Sequence, residues 1–64
     1  MINKFDIVKT QFDEIGIVRH VETKKLWGNM VKVEMIKVDG VFNQLGDIVE
    51  YRPESLTVVK ELHF

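Results

Sequence analysis

The side chains capable of covalent chemistry are few and far apart in the sequence. Ser55 is the single serine, and the two histidines are His20, within a β-rich run, and His63, next to the last residue. Nucleophilic catalysis needs a base within hydrogen-bond reach of the nucleophile and a third group that orients the base. A serine in a turn more often caps the turn than attacks a substrate. The sequence therefore predicts no enzyme active site.

His20 and Glu22 make metal binding a somewhat stronger hypothesis than nucleophilic catalysis. Residues two apart point to the same face of a regular strand, and Asp13 or His63 would have to add further ligands. Zinc sites use three or four protein ligands. The simpler interpretation is two solvated polar residues, and we predict neither a metal nor another cofactor.

Two groups of carboxylates, Asp13 with Glu14 and Glu50 with Glu54, stand close together in the sequence. Acid–base catalysis at neutral pH requires a carboxyl group whose pKa is raised by burial. No feature of the sequence indicates that these residues are buried. We therefore predict solvated loop charges.

Basic residues and the single tryptophan are concentrated within nine residues. They are Arg19, His20, Lys24, Lys25 and Trp27. Cations that hold phosphates and flat rings that stack on bases are the ingredients of single-strand recognition. The same segment also fits an ordinary solvated turn, and tryptophan in a tiny domain is often part of the core. A structural role, a protein contact and a nucleic-acid contact all stay open.

The phenylalanines and the tyrosine divide into two groups by their surroundings. Phe5, Phe42 and Tyr51 lie in strand-like patterns, and a small core needs large side chains to fill it. Phe12 lies in a polar segment, and we expect it to be exposed. Together with Trp27 it would form an apolar patch at a rim, and such patches usually mark a partner surface.

Length and composition bound the class of protein. Residues 1–64 make one small domain, 45% of them apolar, with ten Val, six Ile and no Ala. β-Branched side chains pack well on pleated sheets, so this composition favours β structure. Without cysteine there is no disulfide and no zinc thiolate site. No apolar run approaches the roughly 20 residues that cross a bilayer, so a soluble, cytoplasmic protein is expected.

The first half of the chain predicts three strands, over residues 5–10, 15–22 and 31–37. In the third, apolar residues at every second position alternate with charged ones until Ile36 interrupts the pattern. This alternation predicts one buried and one solvated face. Gly16, inside the second strand, predicts a bulge or a close approach of two backbones, with positive φ as the expected reason for glycine.

The second half predicts a hairpin and two more strands. An Asp-Gly pair at residues 39–40 favours a type I′ turn that returns the chain through the two apolar residues after it. Another strand is predicted over residues 48–51, and Pro53 then predicts a 3-10 turn. Residues 56–62 fit a last strand or a short helix, and their run of β-branched residues favours the strand.

Five short antiparallel strands in an open sheet would expose an apolar face and two edges. Closing the sheet into a small barrel covers the face and removes the edges. We therefore predict an all-β barrel.

The order of these elements resembles the SH3-like small barrels. Residues 13–22 look like the turn and strand of KOW-type modules, in which a glycine, here Gly16, precedes an apolar strand. Residues 31–40 look like the distal hairpin. Residues 51–59 look like the 3-10 turn and last strand, where a leucine, here Leu56, plugs the barrel. The resemblance implies an SH3-like barrel of the kind found as short stand-alone bacterial or phage proteins.

The predicted function is a small non-enzymatic binding or accessory module. A net charge of −1 favours a protein partner over nucleic acid, and no small-molecule substrate is evident. One alternative is self-association or the pairing of a partner strand with an exposed edge. Another is KOW-like binding of single-stranded RNA or DNA. The candidate partner-binding residues are Phe12, Arg19, Lys24, Lys25 and Trp27.

Overall fold

The computed structural model describes residues 2–26 and 28–59, which form five antiparallel strands in one sheet. The strand order is β4-β3-β2-β1-β5, and a 3-10 turn at Pro53–Ser55 precedes the last strand. The all-β fold class with five antiparallel strands and this turn is confirmed. The strands are β1 (Ile7–Lys9), β2 (Ile15–Lys24), β3 (Gly28–Lys37), β4 (Ile48–Tyr51) and β5 (Thr57–Val58).

The long hairpin of β2 and β3 forms the centre of the sheet, and each of its strands carries one bulge. Arg19 is the extra residue on β2, between the pairs that Val18 and His20 make with β3. Ile36 is the extra residue on β3, opposite the junction of Ile15 and Gly16. Bulges bend a strand and increase its twist, so the sheet curves. The interruption of the sequence pattern at Ile36 thus coincides with a bulge.

The buried face of the sheet is built mainly from valines. Apolar residues at every second position of β3 are buried, as the alternation predicted. Leu56, directly after the 3-10 turn, joins these residues in the core. The core residues are Val8, Val18, Val31, Val33, Met35 and Leu56.

Gly16 lets β2 and β3 approach each other closely. A Cβ atom at this position would overlap Cγ1 of Val33 and lie 2.8 Å from the carbonyl oxygen of Glu34. The predicted close approach is confirmed, and the register shift beside Gly16 has its extra residue on β3. Glycine is needed here for lack of space, because Gly16 is not among the residues with positive φ.

The predicted closure into a barrel is wrong. β4 and β5 are the two edges of the sheet, and the described residues contain no pairing between them. The connection between these strands is the 3-10 turn, and Leu56 packs into the core beside it. Between β4 and β5 the core is therefore covered by the Leu56 side chain and not by pairing of the two strands.

The predicted tight hairpin at residues 39–40 is also wrong. The chain leaves β3 after Lys37 and passes through a loop of residues 38–47 before β4 begins. The Asp39 carboxylate accepts a hydrogen bond from the backbone N–H of Val41 (2.9 Å). This N–H is therefore not available to pair with another strand. Met35 of β3 instead donates to the carbonyl of Asp47, 2.9 Å away.

Two of the three aromatic residues assigned to the core lie on the surface. Phe5 precedes β1, and Phe42 lies in the loop of residues 38–47; their exposed fractions are 59% and 60%. Tyr51 packs against the core as predicted, and Phe12 is exposed as predicted. β5 is extended, so the helix alternative fails there, and residues 60–62 of the predicted last strand lie outside the described residues.

Candidate functional site

Two loops meet at one end of the sheet. The β1–β2 loop of residues 10–14 leads into Ile15, and Ile15 pairs with Lys37, where the β3–β4 loop begins. The register of the central hairpin therefore brings both loops to the same edge of the molecule. Their aromatic rings touch: Phe12 and Phe42 stack with centroids 4.3 Å apart and planes 26° apart.

The stacked pair belongs to a set of exposed apolar side chains that we call the apolar end. Phe12 is 47% exposed and Phe42 60% exposed although they bury part of their rings against each other. The remaining members lie on the β3–β4 loop and the first residue of β4, and they are between 57% and 73% exposed. Grouped exposure of this kind marks interaction surfaces. The apolar end consists of Phe12, Val41, Phe42, Leu45 and Ile48.

A buried polar contact anchors the β3–β4 loop to the β1–β2 loop. Nδ2 of Asn43 donates to Oε1 of Glu14 (2.6 Å) and lies 3.3 Å from the Tyr51 hydroxyl. Glu14 is only 1% exposed, so the prediction of a solvated carboxylate at this residue is wrong. The β1–β2 loop closes at this residue, where the backbone N–H of Thr10 donates to the Glu14 carbonyl (2.8 Å). Asn43 thereby holds Phe42 in place beside Phe12.

Side-chain caps order the β3–β4 loop from within. Besides the Asp39 cap described above, Asp47 accepts a hydrogen bond from the backbone N–H of Gln44 (2.9 Å). Aspartate side chains that bond nearby backbone groups replace the ladder bonds a strand would supply. A loop ordered before binding loses less conformational entropy when a partner docks. The apolar end is therefore preorganised.

The environment of Tyr51 raises the pKa of its hydroxyl above the ordinary value of 10.0. Burial is the main cause, and the nearby charge of Glu14 adds to it, whereas the hydrogen bond from Asn43 acts in the opposite direction. The other carboxylate oxygen of Glu14, Oε2, is buried and has no hydrogen-bond partner among the described residues. Tyr51 and Glu14 thus share one polar cluster behind the apolar end.

We expect the free energy of unfolding to fall as the pH rises past 10.0, the ordinary pKa of tyrosine. Above that pH the unfolded chain releases the Tyr51 proton while the folded protein keeps it. A further rise in pH therefore favours the unfolded state and lowers the free energy of unfolding. Urea titrations between about pH 9 and about pH 11 measure this decline. Tyr51→Phe is expected to flatten it. Part of the decline remains, since Glu50 raises the pKa of Lys24. An equally steep fall of the unfolding free energy at alkaline pH in the wild type and in Tyr51→Phe would contradict the prediction.

The basic candidates lie away from the apolar end. β2 is ten residues long, and the β1–β2 loop precedes its first residue while Lys24 is its last. Lys25 follows Lys24 and is exposed, with no ion pair to a described residue. Trp27, the fifth candidate, lies outside the described residues. The structure therefore separates Phe12 from Lys24 and Lys25.

Carboxylates neutralise most of the basic candidates. Nζ of Lys24 lies 3.0 Å from Oε1 of Glu50, and Nε of Arg19 lies 2.8 Å from Oε1 of Glu34. Glu22 is within 4 Å of three cationic or titratable groups, on His20, Lys24 and Lys32. A phosphate approaching these cations would have to displace carboxylates first. This geometry disfavours a nucleic-acid contact on the solvated face of β2.

His20 and Glu22 share a face as predicted, with Nε2 and Oε2 3.8 Å apart. The described part of the chain contains no group of three or more histidine, aspartate or glutamate residues able to hold a metal ion. His20 also lines an open groove of about 560 Å³ with apolar walls of Ile2, Val21, Val31 and Pro53. His63 lies outside the described residues, and Ser55 lies within the 3-10 turn.

Comparison of the chain with protein-family models, with curated proteins and with solved structures finds no match. Within residues 2–26 and 28–59, no helix has the length and apolar character to span a bilayer.

Sequence reasoning identified one member of the apolar end, Phe12, and missed the other four. It placed Val41 and Phe42 in a strand on the strength of the Asp-Gly pair before them. A second signal was present, because residues 38–47 contain two glycines, two aspartates, an asparagine and a glutamine. Such residues favour turns and loops, and a ten-residue loop fits them better than a hairpin.

Proposed function

We propose that this chain is a small non-enzymatic binding module and that a protein partner docks on its apolar end. The observation that carries the proposal is the stacked pair of Phe12 and Phe42, about half exposed and held by the buried contact between Asn43 and Glu14. Aromatic side chains on a rigid frame are the usual anchors of protein interfaces. Cytoplasmic action is part of the proposal, since a chain without cysteine needs no oxidising compartment.

A relationship to the SH3-like small β domains is also proposed, with a sheet that stays open. Its support is the number of strands, the 3-10 turn before the last one and the buried Leu56 after the turn. KOW-like nucleic-acid binding through Arg19, Lys24, Lys25 and Trp27 is the competing function. The ion pairs of Arg19 and Lys24 make it the weaker of the two.

The test compares two phenylalanines of equal exposure at different places. Phe42→Ser removes the centre of the apolar end, and Phe5→Ser is the matched control, since Phe5 is 59% exposed and precedes the far end of β1. Immobilised wild-type protein and both variants are exposed to nuclease-treated extract of the source cells. We expect at least one protein to be retained by the wild type and by Phe5→Ser. Phe42→Ser should retain at least about tenfold less of it, which corresponds to a loss of about 1.4 kcal/mol in binding free energy.

The retained protein is then purified and titrated calorimetrically against the same three proteins. Burial of the apolar end predicts a negative heat-capacity change on binding. Equal affinity for all three proteins would contradict the proposal. Retention that is seen only with a parallel extract left untreated by nuclease would favour the nucleic-acid function instead.

A further inference from the structure

The backbone groups on the outer side of β4 can be assigned from its pairing with β3. Met35 donates to the Asp47 carbonyl, and Val33 and Val31 stand opposite Val49 and Tyr51. In an antiparallel pair, alternate residues exchange both backbone bonds with the partner, and the residues between them point away. The N–H and C=O groups of the intervening residues therefore face outward, and no described strand lies there. The outward-facing residues are Ile48 and Glu50.

The side chains on this edge leave it open to another strand. Natural edges are often protected by lysine, proline or an unpaired charge. β4 has the sequence IVEY, without lysine or proline, and Ile48 is 57% exposed. The charge of Glu50 is taken up by Lys24, whose Nζ lies 3.0 and 3.1 Å from its two carboxylate oxygens. β5, the opposite edge, has only two paired residues and presents a much shorter ladder.

The loop that leads into this edge is acidic, whereas Lys24 and Arg52 lie beside Glu50 at the other end of β4. Residues 38–51, which comprise the β3–β4 loop and β4, contain three acidic residues and no lysine or arginine. Within this loop, the Asp39 and Asp47 carboxylates each accept a hydrogen bond from a backbone N–H group. Complementary charge on a partner would steer its approach and set its register.

We infer that the β4 edge accepts an extended segment of a protein partner in which apolar residues alternate with lysine or arginine. The segment adds a sixth strand by bonding to Ile48 and Glu50, and its apolar residues pack against the apolar end, to which Ile48 belongs. This inference rests on the proposed function and names the chemistry of its partner. A second copy of the chain is the competing occupant, and the dependence of protection on protein concentration distinguishes it from the partner segment.

The test uses a defined probe, the blocked peptide acetyl-KVKVKVK-amide, with acetyl-EVEVEVE-amide as its charge-reversed control. Amide hydrogen exchange and NMR shifts are followed for Ile48, Val49 and Glu50 of the full chain. We expect saturating basic peptide to slow exchange at Ile48 and Glu50 at least about tenfold and to leave Val49 unchanged, since β3 already protects it. The acidic peptide is expected to bind at least about tenfold more weakly.

Two modifications test the backbone bonds directly. Ile48→Pro removes the outward N–H at the first residue of β4, a place where proline is tolerated. Ile48→Thr is the matched control, because it keeps the N–H and a β-branched side chain. We expect the proline variant to bind the basic peptide at least about tenfold more weakly than the threonine variant.

A change in the peptide leaves the protein fold untouched. Methylating either all valine or all lysine backbone nitrogens of the peptide removes the donors along one of its two edges. We expect at least one of these peptides to lose binding.

Shifts confined to Phe12 and Phe42, without protection of Ile48 and Glu50, would overturn the strand inference and leave the proposed function intact. Unchanged binding by both methylated peptides would overturn it as well, as would the absence of binding by the basic peptide. Protection that increases with protein concentration alone would assign the edge to a second copy and overturn the inference too. Loss of peptide binding in Phe42→Ser but not in Ile48→Pro would favour the proposed function alone.

Discussion

Gly16→Ala is expected to destabilise the protein by about 3 kcal/mol or more, because overpacked interiors cost roughly 1–3 kcal/mol and rigid sites more. The added Cβ would overlap Cγ1 of Val33 and lie 2.8 Å from the Glu34 carbonyl oxygen. That oxygen belongs to the backbone of β3 and has little freedom to move. The whole stability of a 64-residue domain is only about 3–10 kcal/mol. The melting temperature should fall by about 12 °C or more, measured by calorimetry or circular dichroism.

Gly40→Ala is the matched control for this prediction. Gly40 has φ of +82° and open space around it, so alanine there costs only the strain of a left-handed conformation, about 1 kcal/mol. A double variant that combines Gly16→Ala with Val33→Ala removes the side-chain overlap. The double variant is expected to lose less free energy of unfolding than the two single variants lose in sum. Equal melting temperatures for Gly16→Ala and Gly40→Ala would mean that β2 and β3 are not as close as described.

Asn43→Ala is expected to cost about 3 kcal/mol, because a buried acceptor that loses its donor costs roughly 1–3 kcal/mol and a charged one more. Glu14 is 1% exposed, and Oε2 already lacks a partner among the described residues. Without Asn43, Oε1 loses its 2.6 Å hydrogen bond as well. Chemical denaturation measures the loss, and NMR relaxation of residues 39–46 measures the order of the loop.

The control replaces both partners with apolar side chains of similar size. Glu14→Met combined with Asn43→Leu removes the buried polar groups together, and such paired replacements are often nearly neutral. We expect the double variant to recover most of the stability lost in Asn43→Ala. A loss below about 0.5 kcal/mol for Asn43→Ala would contradict the buried anchor, since surface substitutions lie in that range. Loosening of residues 39–46 should also weaken partner binding, because ordering the loop would then oppose association.

Much of the strand pattern could be predicted because it depends on local regularities. Alternation at every second residue identified the buried face of β3, and its interruption at Ile36 coincides with a bulge. Pro53, which lacks a backbone donor, identified the 3-10 turn. These features depend on side-chain period and backbone chemistry within a few residues, which the sequence displays directly.

The candidate site was harder to predict because its members come from distant parts of the sequence. Phe12 and Phe42 are 30 residues apart and meet only because Ile15 pairs with Lys37. The hydrogen bond between Glu14 and Asn43 depends on the same register. Side-chain type alone indicates that a carboxylate is solvated, and only the packing of two loops shows that this one is buried.

Local sequence patterns were enough to predict the β character of this protein, the inward side of β3 and the position of its 3-10 turn. β-Branched residues, alternation and proline act over a few residues, so their effects do not depend on contacts with distant parts of the chain. The packing of the complete fold determines that the sheet stays open, that residues 38–47 form a loop and that Phe42 is exposed. Those outcomes depend on which distant strands pair, and strand pairing is a property of the whole chain.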